Sequence, residues 1–325
     1  MKAIVCRSHG LPDVLRLEAI DKPSVPDDGL LVRVHASSIN PVDFFPLSRV
    51  AYTARWLGGG LKPKAVVLGT DFAGTVESVG KNVNEFKPGD PVFGGAKGTF
   101  AEYVSIPAKA AVVRKPANLS FEQAATVPVA ALTALQALRD HGRVQPGQNV
   151  LINGASGGVG SFAVQIAKSF GAQVTAVCSP RNLQTALALG AQRVIDYSRE
   201  DFTRSGESYD LMIDIAGSRS WNECKRVLNP KAIFVAAGAA AYTVWGGSRI
   251  LRHLIGVRLA SIRSTQKVAL FIAKLSTADL LVLQQLLESV RITPVIDRQY
   301  GLDQVPEALT YMGEGHAGGK IVVRV

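Results

Sequence analysis

Apolar and polar positions change period twice along this chain. Over residues 1–120 they alternate in short stretches, which predicts strands at Lys2–Cys6, Leu30–Ala36, Gly74–Val79, Pro91–Phe93 and Phe100–Pro107. Pro26-Asp27-Asp28-Gly29, Lys87-Pro88-Gly89-Asp90 and Gly94-Gly95 punctuate them as turns. Few amphipathic helices interrupt, so a rolled β domain is expected there and not a parallel sheet. From Ser120 the period lengthens. Phe121–Leu138 reads as one helix, with Ser120 as its N-cap and Gln123 three residues on completing a capping box. Strands at Asn149–Asn153, Gln173–Cys178, Arg193–Asp196, Tyr209–Ile215, Ala232–Ala237 and Val257–Ser261 then follow in βα units. Their helices fall near Gly158–Phe170, Asn182–Leu189, Ser220–Leu228 and Arg249–Ile255. This alternation predicts an α/β class with a doubly wound parallel sheet. After Gln266 come helices at Ala278–Val290 and Asp303–Met312, and short strands at Val295–Asp297 and Lys320–Val325 that read as returning to the first domain. No 20–50-residue repeat or low-complexity tract is visible.

The first βα junction carries the chemistry. Val150-Leu151-Ile152 ends in the glycine-rich turn Gly154-Ala155-Ser156-Gly157-Gly158-Val159-Gly160, and a helical apolar pattern begins at once. Glycines let the backbone turn sharply and approach a pyrophosphate, while the free N–H groups of the helix start face its charge. A dinucleotide site is expected there. A site for NAD would place an acid at the end of the next strand to hold the ribose 2′-OH. Here that place reads Cys178-Ser179-Pro180-Arg181-Asn182, without an acid. Ser179 can donate to a 2′-phosphate and Arg181 can pair with it bidentately, so NADPH is the expected cofactor; the alternative for Arg181 is a solvated surface side chain. Gly238, after the strand at Ala232–Ala237, is counted with the cofactor-binding residues.

Composition narrows the partners. The 325 residues suit two domains, and no run of 18 uncharged apolar residues predicts a membrane span. Met1–Val5 begins directly in a strand-like pattern, so no leader peptide is expected. Cys6, Cys178 and Cys224 are too scattered for a disulfide framework or a zinc knuckle, which points to a reducing, cytoplasmic compartment. The net charge of +10 attracts anions, but the basic residues are dispersed and no nucleic-acid-binding module accompanies them. Arg249, Arg252, Arg258 and Arg263 are the densest group, in the segment 239–263 with Tyr242, Trp245 and Gly246-Gly247. Three readings stand for it: a lid over the pocket, contact with an anionic membrane surface, or a sheet-covering helix with solvated arginines.

Several strings together resemble the medium-chain dehydrogenase/reductase superfamily, in its zinc-independent quinone oxidoreductase branch. They are Ser37-Ser38-Ile39-Asn40-Pro41-Val42-Asp43, Leu68-Gly69-Thr70-Asp71-Phe72-Ala73-Gly74, Phe86-Lys87-Pro88-Gly89-Asp90, Phe100-Ala101-Glu102-Tyr103, the glycine turn, Val194-Ile195-Asp196-Tyr197 and Gly318-Gly319-Lys320-Ile321-Val322. The branch includes zeta-crystallin and the NADPH-dependent alkenal/enone reductases. The resemblance implies a GroES-like catalytic domain over 1–120, a Rossmann domain over 121–266, a C-terminal return over 267–325, and a homodimer. The zinc alcohol dehydrogenases of the superfamily bind zinc through a Cys on the early loop and a His in a Gly-His-Glu segment. Here those places read Asn40-Pro41-Val42-Asp43 and Gly69-Thr70-Asp71, and neither offers a Cys or His, so no metal site is expected.

Without a Lewis acid, hydride transfer favours an electron-poor acceptor, a small-molecule quinone or enone. The resemblance places Asn40 and Asp43 at the nicotinamide and substrate pocket, with Thr133 near the ring and Tyr197 near the adenosine phosphate. Asn40 would bond a carboxamide or carbonyl, and Asp43 would donate a proton if burial raises its pKa. Asn-Pro-x-Asp is equally a good turn sequence, and that reading stays open beside the catalytic one. Tyr52, Tyr242 and Trp245 are candidates for pocket lining. The alternatives to an NADPH-dependent reductase are a zinc-free alcohol dehydrogenase and a non-catalytic NADPH-binding protein.

Overall fold

Ten residues, Gly29–Ser38, form the strand on which the first part of the chain is built. The computed structural model describes residues 1–48, 65–107, 109–237, 256–257, 261 and 264–325. In chain order its strands begin β1 (Lys2–Cys6), β2 (Arg16–Ala19), β3 (Gly29–Ser38), β4 (Val66–Val67), β5 (Asp71–Val79), β6 (Pro91–Gly95), β7 (Tyr103–Pro107) and β8 (Val112–Arg114). Along β3, one edge pairs with β5 over nearly its full length. The other edge pairs first with β7 and then with β16 (Lys320–Arg324). β3 and β5 both run further toward residues 38–71 than apolar alternation predicts. The added ends include the polar Ser37, Ser38 and Asp71, and Ser37 and Ser38 satisfy their hydroxyls on Asp71. Leu30, Val32, Val34, Phe72, Val76 and Ile106 fill the core against these strands.

The chain divides into two units. The first comprises 1–129, 275–288 and 296–325, and the second 130–274 and 289–295. In the first, a seven-stranded sheet runs β15-β16-β3-β5-β6-β8, with β7 on β3 and β15 spanning Ile296–Gly301. Beside it is the three-stranded sheet β2-β1-β4.

The helix expected over Phe121–Leu138 is broken. Helix α1 covers Phe121–Ala125 under the predicted Ser120–Gln123 box, and α2 begins anew at Pro128 and runs to Gln136. Proline lacks the N–H for the preceding turn and its ring crowds it, but its fixed φ suits a first helical position.

The second unit contains a six-stranded parallel sheet in the order β11-β10-β9-β12-β13-β14. These are β9 (Asn149–Asn153), β10 (Gln173–Cys178), β11 (Arg193–Asp196), β12 (Tyr209–Asp214), β13 (Leu228–Ala236) and β14 (Lys267–Leu270). The order reverses between β9 and β12, the switch point of a doubly wound sheet, so the fold class is as expected. Between them lie α3 (Gly158–Ser169), α4 (Leu183–Ala188) and α5 (Trp221–Cys224). The sixth strand corrects the reading at Val257–Ser261, where the described residues Gly256, Val257 and Ser261 are helical. Val257 is buried with Trp221 and Phe234, in the core against the sheet. The strand is the short, half-exposed β14, whose Lys267 and few apolar residues give a weak alternation signal. Helices α6 (Thr277–Glu288) and α7 (Val305–Gly313) complete the first unit. Among the described residues no helix is long and apolar enough to cross a membrane.

Candidate active site

In the second unit the turn after β9 has the geometry a pyrophosphate needs. Gly154 sits at φ +90, a left-handed conformation that favours glycine, and its N–H and that of Ala155 both donate to Val177 O of β10. A Cβ on Gly160 would lie 2.1 Å from Gly154 O, so the helix meets the turn only through glycine. At Gly157, by contrast, a Cβ would meet nothing closer than 4.0 Å. Ser156, Gly158 and Val159 complete this cradle. Gly157 is the N-cap of the twelve-residue α3 and brings no side chain to cap it; the first turn holds no acid. The first N–H groups of a helix have no intrahelical acceptor, and the dipole there is positive. Phe162, Ala163, Ile166 and Ala167 are fully buried and fix the helix to the unit. Across the switch point Asn153 Nδ2 donates to Asp214 Oδ1 at 2.8 Å, which also accepts Gly217 N–H at 3.0 Å. This cradle fits a dinucleotide phosphate.

At the end of β10, Cys178 is buried and its thiol is pushed up to about 11, first by burial and then by Asp196. It shapes the strand end and is not a thiolate. Ser179 Oγ accepts Asn182 Nδ2–H at 2.9 Å and keeps its own hydroxyl proton to donate. Arg181 is exposed, and so is Tyr197, at 55 %. Asp196 is paired in register with Cys178. Ser198 holds its carboxylate through both hydroxyl and N–H, with Arg199 beside it, and these bonds keep it below the usual carboxylate range. Thr133 is on α2, almost wholly buried. Tyr52, Gly238, Tyr242 and Trp245, with the helix expected at Arg249–Ile255, lie outside the described residues.

The first unit holds Asn40 and Asp43, and it surrounds them with residues that sequence reasoning did not single out as functional. Asn40 precedes a short 3-10 segment, Pro41–Leu47. Its N–H donates to Asp43 Oδ2 at 2.7 Å, and Thr70 Oγ donates to Asp43 Oδ1 at 2.8 Å. Asn40's side chain is itself engaged. Its Nδ2 donates to Asp71 Oδ2 at 2.7 Å, and its Oδ1 accepts from Lys320 Nζ at 2.6 Å. Lys320, on β16 and 4 % exposed, also donates to Ile39 O at 2.9 Å and to Asp71 Oδ2 at 3.4 Å. Asp71, fully buried, further accepts Ser38 Oγ–H at 2.8 Å and Val129 N–H at 2.9 Å. The turn reading and the placement of Asn40 and Asp43 therefore describe one set of bonds, buried and already filled on the Asn40 side.

Burial pushes Asp43 up to about 7. The Asn40 N–H and Thr70 hydroxyl pull it down, Asp71 raises it, and Lys320 lowers it. Burial likewise lowers the Lys320 ammonium, against the two carboxylates that raise it. Asp43 is thus a carboxyl that can hold a proton near neutrality.

Comparison with known proteins follows the same lines. The family described as alcohol dehydrogenase GroES-like domain matches residues 26–117, and the one described as zinc-binding dehydrogenase matches residues 189–323. Despite the second description, no group of three or more His, Cys, Asp or Glu that could hold a metal occurs among the described residues. The mitochondrial NAD(P)H oxidoreductase RTN4IP1 of Mus musculus is 34% identical over 100% of this chain and 89% of its own length. The 2-methylene-furan-3-one reductase of Solanum lycopersicum is 33% identical over 99% of this chain and 79% of its own. The crystal structure of Escherichia coli quinone oxidoreductase complexed with NADPH matches at TM-score 0.83 and 25% identity, covering 100% of both chains.

The raised Asp43 has a thermodynamic signature. Its folded value lies above the unfolded value of about 3.9, so its contribution to stability is full below that and is lost as pH rises through about 7. Asp43→Asn should remove that loss. Between pH 4 and 8 the stability difference should move in the variant's favour by on the order of 2–4 kcal/mol, read from urea midpoints. A pH-independent difference would mean that Asp43 is not raised.

Proposed function

The chain belongs to the medium-chain dehydrogenase/reductase superfamily and is an oxidoreductase of the nicotinamide-dependent kind, and from that premise we propose that it is an NADPH-dependent, zinc-independent reductase of quinones or α,β-unsaturated carbonyls. The observation that carries the reading is the Asn40–Asp71–Lys320 network. Where zinc relatives would present a Cys and a His, this chain presents an amide and a hydroxyl. Both are committed to hydrogen bonds, with a buried ammonium beside them. Neither place offers the Cys or His that zinc sites usually use. Without such an ion an acceptor must already be electron-poor, as quinones and enones are. The relatives named as a 2-methylene-furan-3-one reductase and a quinone oxidoreductase support the same acceptor class.

In this reading the first unit is the catalytic domain and the second holds the dinucleotide. When bound, the cofactor supplies the hydride. The Gly154–Gly160 turn holds its pyrophosphate, and Ser179, Arg181 and Tyr197 take the 2′-phosphate end. Asp43 keeps a proton available near neutral pH for the carbon left electron-rich by reduction of an enone. Asn40 and Thr70 fix the direction of that carboxyl. Buried free thiols fit a reducing compartment, and the cytoplasm is the assignment. A homodimer is supported by β14, which pairs with β13 on one edge and carries the exposed Leu270, with Ile272, 75 % exposed, just beyond. Sedimentation should give twice the chain mass, and Ile272→Lys should shift it toward the monomer; a monomeric wild type ends the assignment.

Cofactor choice is tested through Arg181. Arg181→Ala should weaken NADPH by about ten- to a hundredfold and leave NADH nearly unchanged, since one charge-assisted phosphate contact contributes about 1.5–3 kcal/mol. Equal losses in a binding titration would remove Arg181 from the phosphate site. The reaction itself is tested by NADPH oxidation with a small quinone and a short-chain enone, before and after chelation. Turnover of at least one acceptor, unchanged by chelator and without stoichiometric zinc on elemental analysis, is expected. Tight NADPH binding with neither acceptor reduced would leave a nucleotide-binding protein without this activity.

A further inference from the structure

Three ionisable side chains of the first unit, Asp43, Asp71 and Lys320, are buried within one hydrogen-bonded set. Asn40 joins them. Its backbone N–H serves Asp43, and its side-chain amide serves Asp71 and Lys320. An ammonium has three protons to donate. Lys320 has three acceptors: Ile39 O on the chain leaving β3, Asn40 Oδ1 on the loop, and Asp71 Oδ2 on β5. Nothing of it remains for an acceptor or a cofactor. Asp71 is filled in the same way, by Ser38, Asn40, Lys320 and Val129.

We propose that Lys320 and Asp71 are positioning residues for Asp43: through Asn40 they hold the Pro41–Leu47 segment in place, and their opposed charges set the pH range over which Asp43 carries its proton. The inference rests on the reading of Asp43 as the proton-holding group. Charge counting gives the sign. With Asp43 protonated, Asp71 and Lys320 cancel. With Asp43 ionised, one uncompensated negative charge stays inside the unit. From β5, Asp71 opposes ionisation of Asp43, and from β16, Lys320 favours it. The Pro41–Leu47 segment adds no other charge, and Thr70 contributes a neutral donor. Removing the ammonium leaves Asp71 unbalanced, so Asp43 should keep its proton to higher pH. Removing the Asp71 charge leaves the ammonium, so Asp43 should lose its proton at lower pH.

The test uses cofactor-free full chain with aspartate labelled at the carboxyl carbon, titrated by NMR. One carboxyl should titrate near pH 7 and be missing from Asp43→Asn. In Lys320→Met its midpoint should rise by about one unit, the low end for loss of one close charge. It should fall in Asp71→Asn and return toward wild type in Lys320→Arg, which keeps the charge. Should Lys320→Met not fold, Asp71→Asn decides, and a midpoint that stays or rises there overturns the proposal. An unmoved midpoint in folded Lys320→Met overturns it as well. The pH profile of NADPH oxidation, taken on the same variants, should shift with the carboxyl. If the carboxyl moves while the profile of Asp43→Asn matches wild type, the coupling stands and the proton-donor role of Asp43 falls.

Discussion

An ionised carboxylate removed from water persists only where donors replace the water it has lost. Asp71 meets that requirement with four donors drawn from three separate parts of the chain: the Ser38 hydroxyl and the Asn40 amide at and just after the end of β3, the Val129 N–H at the start of α2, and the Lys320 ammonium of β16. Much of the first unit follows from this. β3 continues into Ser37 and Ser38 because those hydroxyls have acceptors inside. The chain after β3 turns where Asn40 is gripped from both sides. Helix α2 restarts at Pro128, and the next N–H, that of Val129 in its first turn, donates to the carboxylate.

The second unit is governed by backbone space and not by charge. Its cradle depends on Gly154 adopting φ +90 and on Gly160 having no side chain to strike Gly154 O. A phosphate held there meets N–H groups and a helix dipole, whatever the surrounding side chains. The two units thus solve opposite problems. One makes room for charge that arrives with a ligand, and the other neutralises charge that is permanently its own.

That difference explains what was legible in the sequence. The glycine turn lies in one contiguous stretch, and its strand and helix flanks have periods that can be read directly, so β9, β10 and β11 match their predicted bounds. The Ser120–Gln123 box was equally local. The break at Pro128 was visible as a proline but hidden by the apolar periodicity running through it. β14 escaped because an edge strand of four residues has little alternation to show. Asn40 and Asp43 were found as a motif, yet their partners were not. Lys320 stands 280 residues from Asn40, and a lysine is normally expected at the surface. Only the tertiary structure brings β16 beside β3 and turns Gly318-Gly319-Lys320 from a familiar string into a buried contact.

The position of Lys320 also orders events during synthesis on the ribosome. The glycine turn of the second unit and its parallel strands are encoded before residue 271, and the cradle can form while translation continues. Asn40, Asp43 and Asp71 emerge earlier still, but their counter-charge follows Asn40 by 280 residues. Until then Asp71 lacks its ammonium, and burying it is unfavourable. A product interrupted before residue 320 would therefore carry the Gly154–Gly160 turn and its parallel strands, while in the first unit Asp71 would still lack its ammonium.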